Sequence, residues 1–411
     1  MKGFFSAKEV TSNINIRNPQ SCVSCGLYQN CTSPKMKPYG KGEKGVMFIG
    51  RFPEQIDDKR GKPFQGRLGR SLQKVLKELN FDLFRDAVCL NACNCLPPER
   101  EKPSDNQIYC CRASVLKSIK QHNPKVIILL GNTPLQSIIG NVWKKALGGI
   151  EKWRGFQIPD QTLKTFLCPV YDPSFVSRNE DRDGKNLAYL IWKRDLGNAI
   201  HCVNKSFPII DNLDDRITYI ESNAQLKEII PKLINADLLS FDYEATGLKP
   251  HADTQKLISV SAAISDTEVY TWINDKTKAK LFKKVLQSKV PKAAHNLQME
   301  EEWSYWHMGT TVNNWDICTM NMAHCLDNRS GITSLKFQTY VNFGVPDYDS
   351  HIHPYLVSDG ELGANSINKI EQFIKEYGEK ELLKYNALDS LFGWMLAIKQ
   401  KGIINENINS L

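Results

Sequence analysis

The sequence predicts an α/β fold in two domains, one built on a parallel sheet and one on a mixed sheet. Apolar runs that end at glycine, at 46–50 (VMFIG) and 125–131 (KVIILLG), alternate with helical patterns, as buried parallel strands do. Strand patterns near 238–273 are followed mainly by helical ones, which indicates a mixed sheet flanked by helices. A polar, proline-containing stretch near 204–218 separates the two patterns, so we place the domains at 1–208 and 209–411.

The individual elements follow in order along the chain. In the first domain, strands are predicted at VMFIG, at 86–93 (DAVCLNAC) and at KVIILLG, with helices at SLQKVLKELN and ASVLKSIKQHN between them. Pro97 and Pro98 end the second strand pattern, because proline interrupts regular structure. In the second domain, three strands (DLLSFDYEATGL, LISVSAAI and EVYTWI) precede a helix at KAKLFKKVL, and an irregular segment runs from 341 to 365.

The composition is that of a soluble globular protein. Hydrophobic residues make up 41% and charged residues 24%, and no apolar run approaches the ~20 residues that span a bilayer. The N-terminus lacks an apolar signal core, so we expect a cytoplasmic location, in the host cytoplasm if the chain is phage-encoded. The net charge of +8 suits a polyanionic partner. Eight of the twelve cysteines lie before residue 112, which favours reduced thiols or a metal cofactor over disulfides.

Acidic residues in separate stretches of the second domain indicate a metal site. Asp242 and Glu244 share one face of a predicted strand, about 6–7 Å apart along it. If Glu300 and Asp389 join them, the carboxylates repel one another unless they titrate together or hold Mg²⁺ or Mn²⁺. Two such cations hydrolyse phosphodiesters by generating hydroxide and stabilising the leaving oxygen. Tyr385, four residues before Asp389 on a predicted helix, is placed to orient the attacking water.

Three blocks, FDYEATGL, AAHNLQMEEEW and KYNALDSLF, occur in this order and resemble the DnaQ-like 3′–5′ exonucleases of the DEDD class over about residues 215–400. The resemblance implies an RNase H-like fold and two Mg²⁺ or Mn²⁺ ions. It also implies a catalytic set in which the four carboxylates bind metal: Asp242, Glu244, Glu300, Tyr385 and Asp389. Glu300 departs from the family's aspartate, and the alternative is that Glu301 or Glu302 takes its place.

The resemblance extends to residues around these motifs. It implies that Asn296 contacts DNA, and it places three residues near the terminal nucleotide: Thr246, Gly247 and Leu248. Asp316 matches an accessory position of polymerase-type members, and we interpret it as structural. The segment SLKFQTYVNFGVPDYD resembles exonuclease regions of family A DNA polymerases, particularly those of phages. Since no polymerase pattern follows, we expect either a separate polymerase as partner or a free-standing nuclease.

The first domain contains a second set of blocks. CVSCGL, GKPFQGRLGRSL, LNACNCLPPER and PKVIILLG resemble the iron–sulfur uracil-DNA glycosylases of family four, over about residues 18–200. The resemblance implies a three-layer α/β domain and a [4Fe–4S] cluster with four cysteine ligands: Cys22, Cys25, Cys95 and Cys111. Cys110 competes with Cys111, and counting to the following strand favours Cys111. Zinc is the alternative metal, because four thiolates also suit a tetrahedral site.

The same resemblance implies a base pocket, with Phe64 as the stacking ring, Asn91 as the amide that reads the uracil edge, and Asp172. Two motifs depart from the family. Its Gly-Glu-Ala-Pro-Gly reads GRFPE at 50–54, and its His-Pro-Ser reads DPS at 172–174. A water-organising carboxylate is thus replaced by Arg51 and an imidazole by an aspartate, so we expect base binding without efficient glycosylase activity. The alternative is that Glu54 or Asp172 organises the water instead.

Two further groups of residues enter the prediction. Basic residues that cluster around one loop are expected to contact phosphates: Arg51, Lys59, Arg60, Lys62, Arg67 and Arg70. Three tryptophans of the second domain are interpreted as core residues and not as base-stacking platforms: Trp303, Trp306 and Trp315.

Together these patterns predict a metal-dependent 3′–5′ DNA exonuclease that acts on single-stranded or frayed 3′ ends. We expect it to be a proofreading component beside a separate DNA polymerase, with a glycosylase-like DNA-binding domain and no membrane partner. Two alternatives stay open: an active uracil-DNA glycosylase with an accessory exonuclease, and a non-catalytic polymerase-assembly or DNA-binding scaffold.

Overall fold

The computed structural model describes residues 22–98, 101–179, 187–356 and 367–409. The chain forms two compact units, one of residues 1–209 with 340–346 and the other of residues 210–339 with 347–411. The segment 340–346, which a division after 208 assigns to the second domain, thus belongs to the first unit. There Tyr340 donates a hydrogen bond to the Asp160 carboxylate (3.0 Å).

The first unit is built on a five-stranded sheet with the order β2-β1-β3-β5-β4. All of its strand pairs are parallel except β4 with β5. Its strands are β1 (Val46–Gly50), β2 (Ala87–Asn91), β3 (Val126–Leu130), β4 (Ile158–Asp160) and β5 (Thr165–Val170). The predicted parallel sheet is confirmed, and β1 to β3 lie where the apolar runs predicted them. The buried faces of these strands form the core of the unit.

Nine helices belong to this unit in the described ranges. They are α1 (Cys22–Cys25), α2 (Gln55–Arg60), α3 (Arg67–Glu78), α4 (Leu83–Asp86), α5 (Asp105–His122), α6 (Asn132–Val142), α7 (Ile150–Trp153), α8 (Pro173–Arg178) and α9 (Leu187–His201). Short 3₁₀ turns occur at Leu27–Gln29 and Cys202–Asn204. Because the strands are parallel, the carboxyl ends of β1, β2 and β3 lie at one edge of the sheet, where loops and helix starts can form a pocket.

The second unit is built on a six-stranded mixed sheet with the order β11-β10-β7-β8-β9-β6. Its strands are β6 (Ile217–Tyr219), β7 (Leu239–Ala245), β8 (Leu257–Ala263), β9 (Val269–Ile273), β10 (Lys292–Ala294) and β11 (Trp315–Cys318). Strands β7, β8 and β9 pair antiparallel, and the other pairs are parallel. This is the predicted RNase H-like arrangement, and the fold class of both units is confirmed.

The helices of the second unit flank this sheet. They are α10 (Asn223–Ile234), α11 (Lys276–Leu286), α12 (Leu297–Trp303), α13 (Thr319–Leu326), α15 (His353–Leu356), α16 (Ile370–Tyr377) and α17 (Glu379–Asn409), while α14 (Leu335–Phe343) includes residues of both units. A 3₁₀ turn spans Leu213–Arg216, and α12 continues as a π-helical turn, Ser304–Met308. The long helix α17 packs across β7, β8 and β9. No helix in the described ranges is both long and apolar enough to cross a membrane.

Candidate functional site

Strand β7 presents two carboxylates on one face and its aromatic side chains on the other. Phe241 and Tyr243 are buried in the core of the second unit. Asp242 and Glu244 alternate with them and therefore point to the opposite face. The pairing with β8 places Asp242 opposite Ser261, and its register shifts between Glu244 and Ala245, the last residue of the strand.

Helix α17 contributes the remaining groups of the site. Tyr385 and Asp389 lie one turn apart and so share a helix face. The fully buried Asn386 fixes the helix on the sheet, because its amide nitrogen donates to Asp242 Oδ2 (2.7 Å) and its amide oxygen accepts from the Ser259 hydroxyl (3.1 Å). Asn386 thereby orients the Asp242 carboxylate, a role that sequence reasoning missed although the residue stands within KYNALDSLF.

The structure brings three of the four predicted metal carboxylates together. Asp242, Glu244 and Asp389 each place a ligand oxygen within 4.8 Å of the other two, and we call these three residues the close triad. Glu300, on α12, is not part of the close triad, but it is only 1% exposed and its Oε2 has no hydrogen-bond partner. A buried carboxylate oxygen without a partner is costly unless a proton or a cation satisfies it.

Electrostatics of the site favour protonation or cation binding. Burial raises the pKa of the Asp242 carboxyl well above its usual value, and the Asp389 charge raises it further. Burial and then the Asp242 charge act in the same direction on the pKa of Glu244 and of Glu300. Burial and the charges of the carboxylates likewise raise the pKa of the Tyr385 phenol, which therefore stays neutral. Divalent cations would relieve the repulsion that causes these shifts.

Two residues that no motif indicated complete the surroundings of Asp389. Lys336 forms an ion pair with Asp389 Oδ1, and the Tyr348 hydroxyl donates to the same oxygen (2.7 Å). The Lys336 ammonium also lies 4.0 Å from the ring centroid of Tyr348 and 4.4 Å from that of Tyr385. Both residues stand in SLKFQTYVNFGVPDYD, so the family resemblance drew attention to the segment, but nothing in the sequence assigned either side chain to the site.

The structure places the two alternatives to Glu300 elsewhere. Glu301 accepts hydrogen bonds from the backbone of Val312 (3.2 Å) and from the indole of Trp315 (2.8 Å). Glu302 is exposed and accepts from Gln298 (2.9 Å). Neither side chain is therefore directed to the close triad.

Two other predicted positions lie outside the close triad. Asp316 is exposed and pairs with Lys401 (2.7 Å). Asn296 is exposed at the start of α12 with a left-handed backbone (φ 71°), which asparagine tolerates. The preceding His295 bonds to the Thr319 hydroxyl through Nδ1 (2.9 Å), and burial together with the nearby Lys336 ammonium lowers its pKa to about 3.

A separate pocket lies at the carboxyl edge of the parallel sheet in the first unit, and we call it the base pocket. Its walls include all the residues that the glycosylase resemblance implied for base binding: Phe64, Asn91 and Asp172. Asn91 ends β2, is 3% exposed, and has a side-chain nitrogen without a hydrogen-bond partner. A β-carbon on Gly50 would approach Asn91 Oδ1 to 2.6 Å and the Phe64 ring to 2.8 Å, so only glycine leaves this space open.

The charged residues of the base pocket have specific partners. The Asp172 carboxylate caps α8 by accepting the Ser174 amide (2.8 Å). Glu54 accepts the Leu68 amide (3.2 Å), and burial raises the pKa of its carboxyl. Arg51 lies over the ring of Phe52, with 4.7 Å between its guanidinium carbon and the ring centroid.

The other predicted DNA-binding cations are exposed side chains on or near α2 and α3: Lys59, Arg60, Lys62, Arg67 and Arg70. Lys62 lies over the ring of Tyr39 at 4.6 Å, and Arg70 donates to the Gln65 carbonyl (3.2 Å). Exposed cations on neighbouring helices beside a pocket are suited to phosphate contact.

The four cysteines implied as cluster ligands line one common pocket, which we call the cysteine pocket: Cys22, Cys25, Cys95 and Cys111. Cys110, the competing candidate on α5, is buried but is not part of this lining. Tetrahedral zinc at about 2.3 Å from each sulfur would hold the sulfurs about 3.8 Å apart. Among the described residues, no three cysteine sulfurs lie within 4.8 Å of one another. A shared cavity between more widely spaced thiols fits a larger cluster better than a single zinc ion.

Comparison with known proteins assigns the first half of the chain. The family model of the uracil DNA glycosylase superfamily matches residues 37–194. The type-4 uracil-DNA glycosylase of Thermotoga maritima is 30% identical over 164 residues, which are 40% of this chain and 82% of that enzyme. The chain belongs to the type-4 uracil-DNA glycosylase family. The enzyme of Sulfurisphaera tokodaii is 33% identical over 158 residues, or 38% of this chain and 70% of that protein. Membership rests on the glycosylase domain alone, since the family model ends at residue 194, before the second unit begins.

The second half carries a different domain. A family model described as 3′–5′ exonuclease matches residues 217–345. The glycosylase domain is thus fused to a DnaQ-like 3′–5′ exonuclease domain, and the protein is an enzyme of that exonuclease class. Among solved structures, Brucella melitensis NrnC bound to pGG aligns with 16% identity and a TM-score of 0.33, over 46% of this chain and 80% of that one. The RNase D:GMP complex of Trypanosoma brucei aligns with 15% identity and a TM-score of 0.35, over 45% and 57%.

Proposed function

We propose that this protein removes nucleotides from DNA 3′ ends with two Mg²⁺ or Mn²⁺ ions, and that the exonuclease site is its only intact active site. The observation that carries the proposal is the close triad on β7 and α17, three carboxylates within 4.8 Å of one another. A Mg–O distance of about 2.1 Å allows oxygens on one ion to be up to about 4.2 Å apart, so this spacing suits ligands shared by one or two ions.

Each residue has a distinct role in this proposal. The close triad and Glu300 hold the cations, which when bound supply a hydroxide nucleophile and stabilise the departing 3′ oxygen. Asn386 keeps Asp242 in position through its amide. Tyr385 is neutral and lies one helical turn before Asp389, so its hydroxyl can orient the attacking water. Tyr348, whose ring is buried, holds Asp389 Oδ1 through its hydroxyl.

The test uses single-stranded DNA labelled at its 5′ end. In Mg²⁺ the wild-type protein is expected to shorten the labelled strand stepwise from its 3′ end, which gives a ladder of products. EDTA is expected to stop the reaction. Asp242→Ala should abolish the ladder, whereas Glu302→Gln should keep it, because Glu302 is an exposed carboxylate of the same unit that lies outside the site. An unchanged ladder from Asp242→Ala would refute the assignment.

For the glycosylase domain we propose base binding without efficient base excision. The base pocket keeps a stacking ring and an unpartnered amide nitrogen at Asn91, which suit a flipped base. It has Asp172 where the family has histidine, and this carboxylate is engaged as a helix cap. An anion there opposes the charge that develops on a departing uracil. The test is incubation of the protein with a uracil-containing duplex. If the wild-type protein excises uracil and the Asp172→Ala variant does not, the alternative of an active glycosylase is established.

For the cysteine pocket we propose a [4Fe–4S] cluster held by its four cysteines. Four thiols around one cavity support this choice, and the cluster would join three chain segments that are far apart in sequence: α1, the stretch after β2, and α5. Iron and acid-labile sulfide analysis of anaerobically purified protein tests it. About four of each per chain is expected, and one zinc per chain without sulfide would contradict it.

A role in proofreading is proposed on the resemblance of SLKFQTYVNFGVPDYD to polymerase-associated exonucleases. On that basis the substrate is a frayed 3′ end and the partner is a separate DNA polymerase. A primer with a mismatched 3′ terminus should then be trimmed faster than a matched one, and a scaffold without catalysis would trim neither.

A further inference from the structure

The π-helical turn Ser304–Met308 carries two aromatic side chains that the protein core does not use. Tyr305 and Trp306 are 57% and 56% exposed. The expectation that Trp306 is a core residue is therefore wrong, whereas Trp303 is buried and Trp315 stacks on Phe241 as core residues do. The π-turn rotates the segment relative to a regular helix, and such turns occur frequently at functional sites.

The turn itself is firmly held, so its exposed rings are not the product of loose packing. Ser304 is fully buried and bonds to the Tyr243 hydroxyl on β7 (2.9 Å), and Met308 packs in the core. Inward residues thus anchor the turn while Tyr305 and Trp306 face solvent. Their rings meet edge to face with centroids 5.6 Å apart.

The loop that follows β7 meets the same turn. His307 hydrogen-bonds to the Pro250 carbonyl (3.0 Å), and the His251 ring lies 5.9 Å from that of Trp306. The loop is also fixed internally, because Gln255 Oε1 accepts the Lys249 amide (2.7 Å). Leu248, which the family resemblance places near the terminal nucleotide, is 74% exposed on this loop.

These two segments are direct continuations of the elements that carry the catalytic carboxylates. The loop leaves β7 after Asp242 and Glu244, and the turn leaves α12 after Glu300. Trp306 lies six residues after Glu300, and His251 lies seven residues after Glu244, so both segments of this surface begin at the site. A strand whose 3′ end occupies the site can therefore place a base near that end on this surface.

We propose that Trp306, with Tyr305 and His251, is a base-stacking platform for the single strand that enters the exonuclease site. The inference rests on the proposed exonuclease function and adds a binding site to it. Aromatic faces stack on any base, so the platform holds the strand without reading its sequence. The occupant is single-stranded nucleic acid, because the loop that carries His251 begins directly after Asp242 and Glu244, at the site that must receive a 3′ end.

The test measures binding separately from cleavage. The affinity of full-length protein for a fluorescent single-stranded oligonucleotide is measured by anisotropy in EDTA. Two proteins are compared, the Asp242→Ala variant and the Asp242→Ala variant that also carries Trp306→Ala. Loss of one stacked base is expected to weaken binding roughly 5- to 150-fold. Tyr377→Ala is the matched control, because Tyr377 is a 52% exposed aromatic residue of the same unit outside the platform, and it should leave the affinity unchanged.

Abasic oligonucleotides separate stacking from a general effect on the fold. One abasic position, moved along the strand, should weaken binding most at one position near the 3′ end, and Trp306→Ala should remove that position dependence. Equal affinity of the Trp306→Ala protein, or position dependence that survives the substitution, would overturn the platform. Either result can occur while the wild-type protein still degrades the strand in Mg²⁺, which would leave the proposed function intact. A wild-type protein that does not degrade DNA would contradict the function itself.

Discussion

Lys336→Met is the substitution that reports most sharply on charge balance in the exonuclease site. Lys336 pairs with Asp389, and the two side chains are only 12% and 9% exposed. At about 3 Å and an effective dielectric constant of about 20, the pair interacts by about 5.5 kcal/mol, part of which offsets desolvation. Removing one partner of a buried pair costs about 3–5 kcal/mol, because the other charge is left uncompensated.

The cost should depend on metal. In EDTA the variant is expected to unfold at a temperature lower by roughly 6–20 °C, at about 2–4 °C per kcal/mol for a unit of this size. In Mg²⁺ the cations supply the missing positive charge, so most of the difference should disappear. Removal of the competing ammonium should also tighten Mn²⁺ binding, measured by titration of the free ion.

Lys401→Met is the matched control for this experiment. Lys401 pairs with Asp316 in the same unit, but the side chains are 43% and 30% exposed, so its loss should cost no more than about 1 kcal/mol with or without metal. If Lys336→Met lowered the melting temperature equally in EDTA and in Mg²⁺, the lysine would have only a packing role, and the reasoning would be refuted.

Three other expectations follow from the same structure. Burial raises the pKa of the Asp242, Glu244 and Glu300 carboxyls, so the metal-free fold binds protons that the unfolded chain releases above pH ~4. The melting temperature in EDTA, relative to that in Mg²⁺ at the same pH, should therefore fall as the pH rises above about 4; a relative rise with pH would contradict it. Gly50→Ala should fill the base pocket and weaken binding of uracil-containing DNA while 3′ trimming of ordinary single strands continues, whereas unchanged uracil binding would count against the pocket. Cys95→Ser should lose the visible absorbance of an iron–sulfur cluster, and Cys325→Ser, at an exposed cysteine, should retain it.

Much of the fold could be predicted from the sequence, because its central strands carry clean patterns. Strands β1 and β3 are apolar runs that end at glycine, and β7 alternates buried aromatic residues with carboxylates. Strand β5 was missed because TFLCPV contains Pro169, and a proline normally argues against an interior strand. Strands β10 and β11 are three and four residues long, too short to show a period.

The site was predictable only where its residues lie within motifs. Asp242, Glu244, Tyr385 and Asp389 come from two compact blocks, and the structure brings the three carboxylates together. Lys336 reaches Asp389 from 53 residues away, and no local pattern indicates a contact that depends on tertiary packing.

Trp306 was misassigned for a related reason. Its neighbour Trp303 is buried, and a helical period does not reveal that the turn changes to a π-helix immediately afterwards. Hydrophobicity alone therefore predicts a core position for the Trp306 ring, whereas the backbone of the π-helical turn directs it to solvent.

The most direct test of the central claim is the rate at which Asp389→Asn releases nucleotides from single-stranded DNA in Mg²⁺, relative to wild type. The substitution keeps the size of the side chain and an oxygen for the Tyr348 hydroxyl, but it removes the negative charge that a cation requires. A loss of at least about a hundredfold is expected, since metal-assisted charge stabilisation contributes several kcal/mol. A rate within a few-fold of wild type would contradict the account.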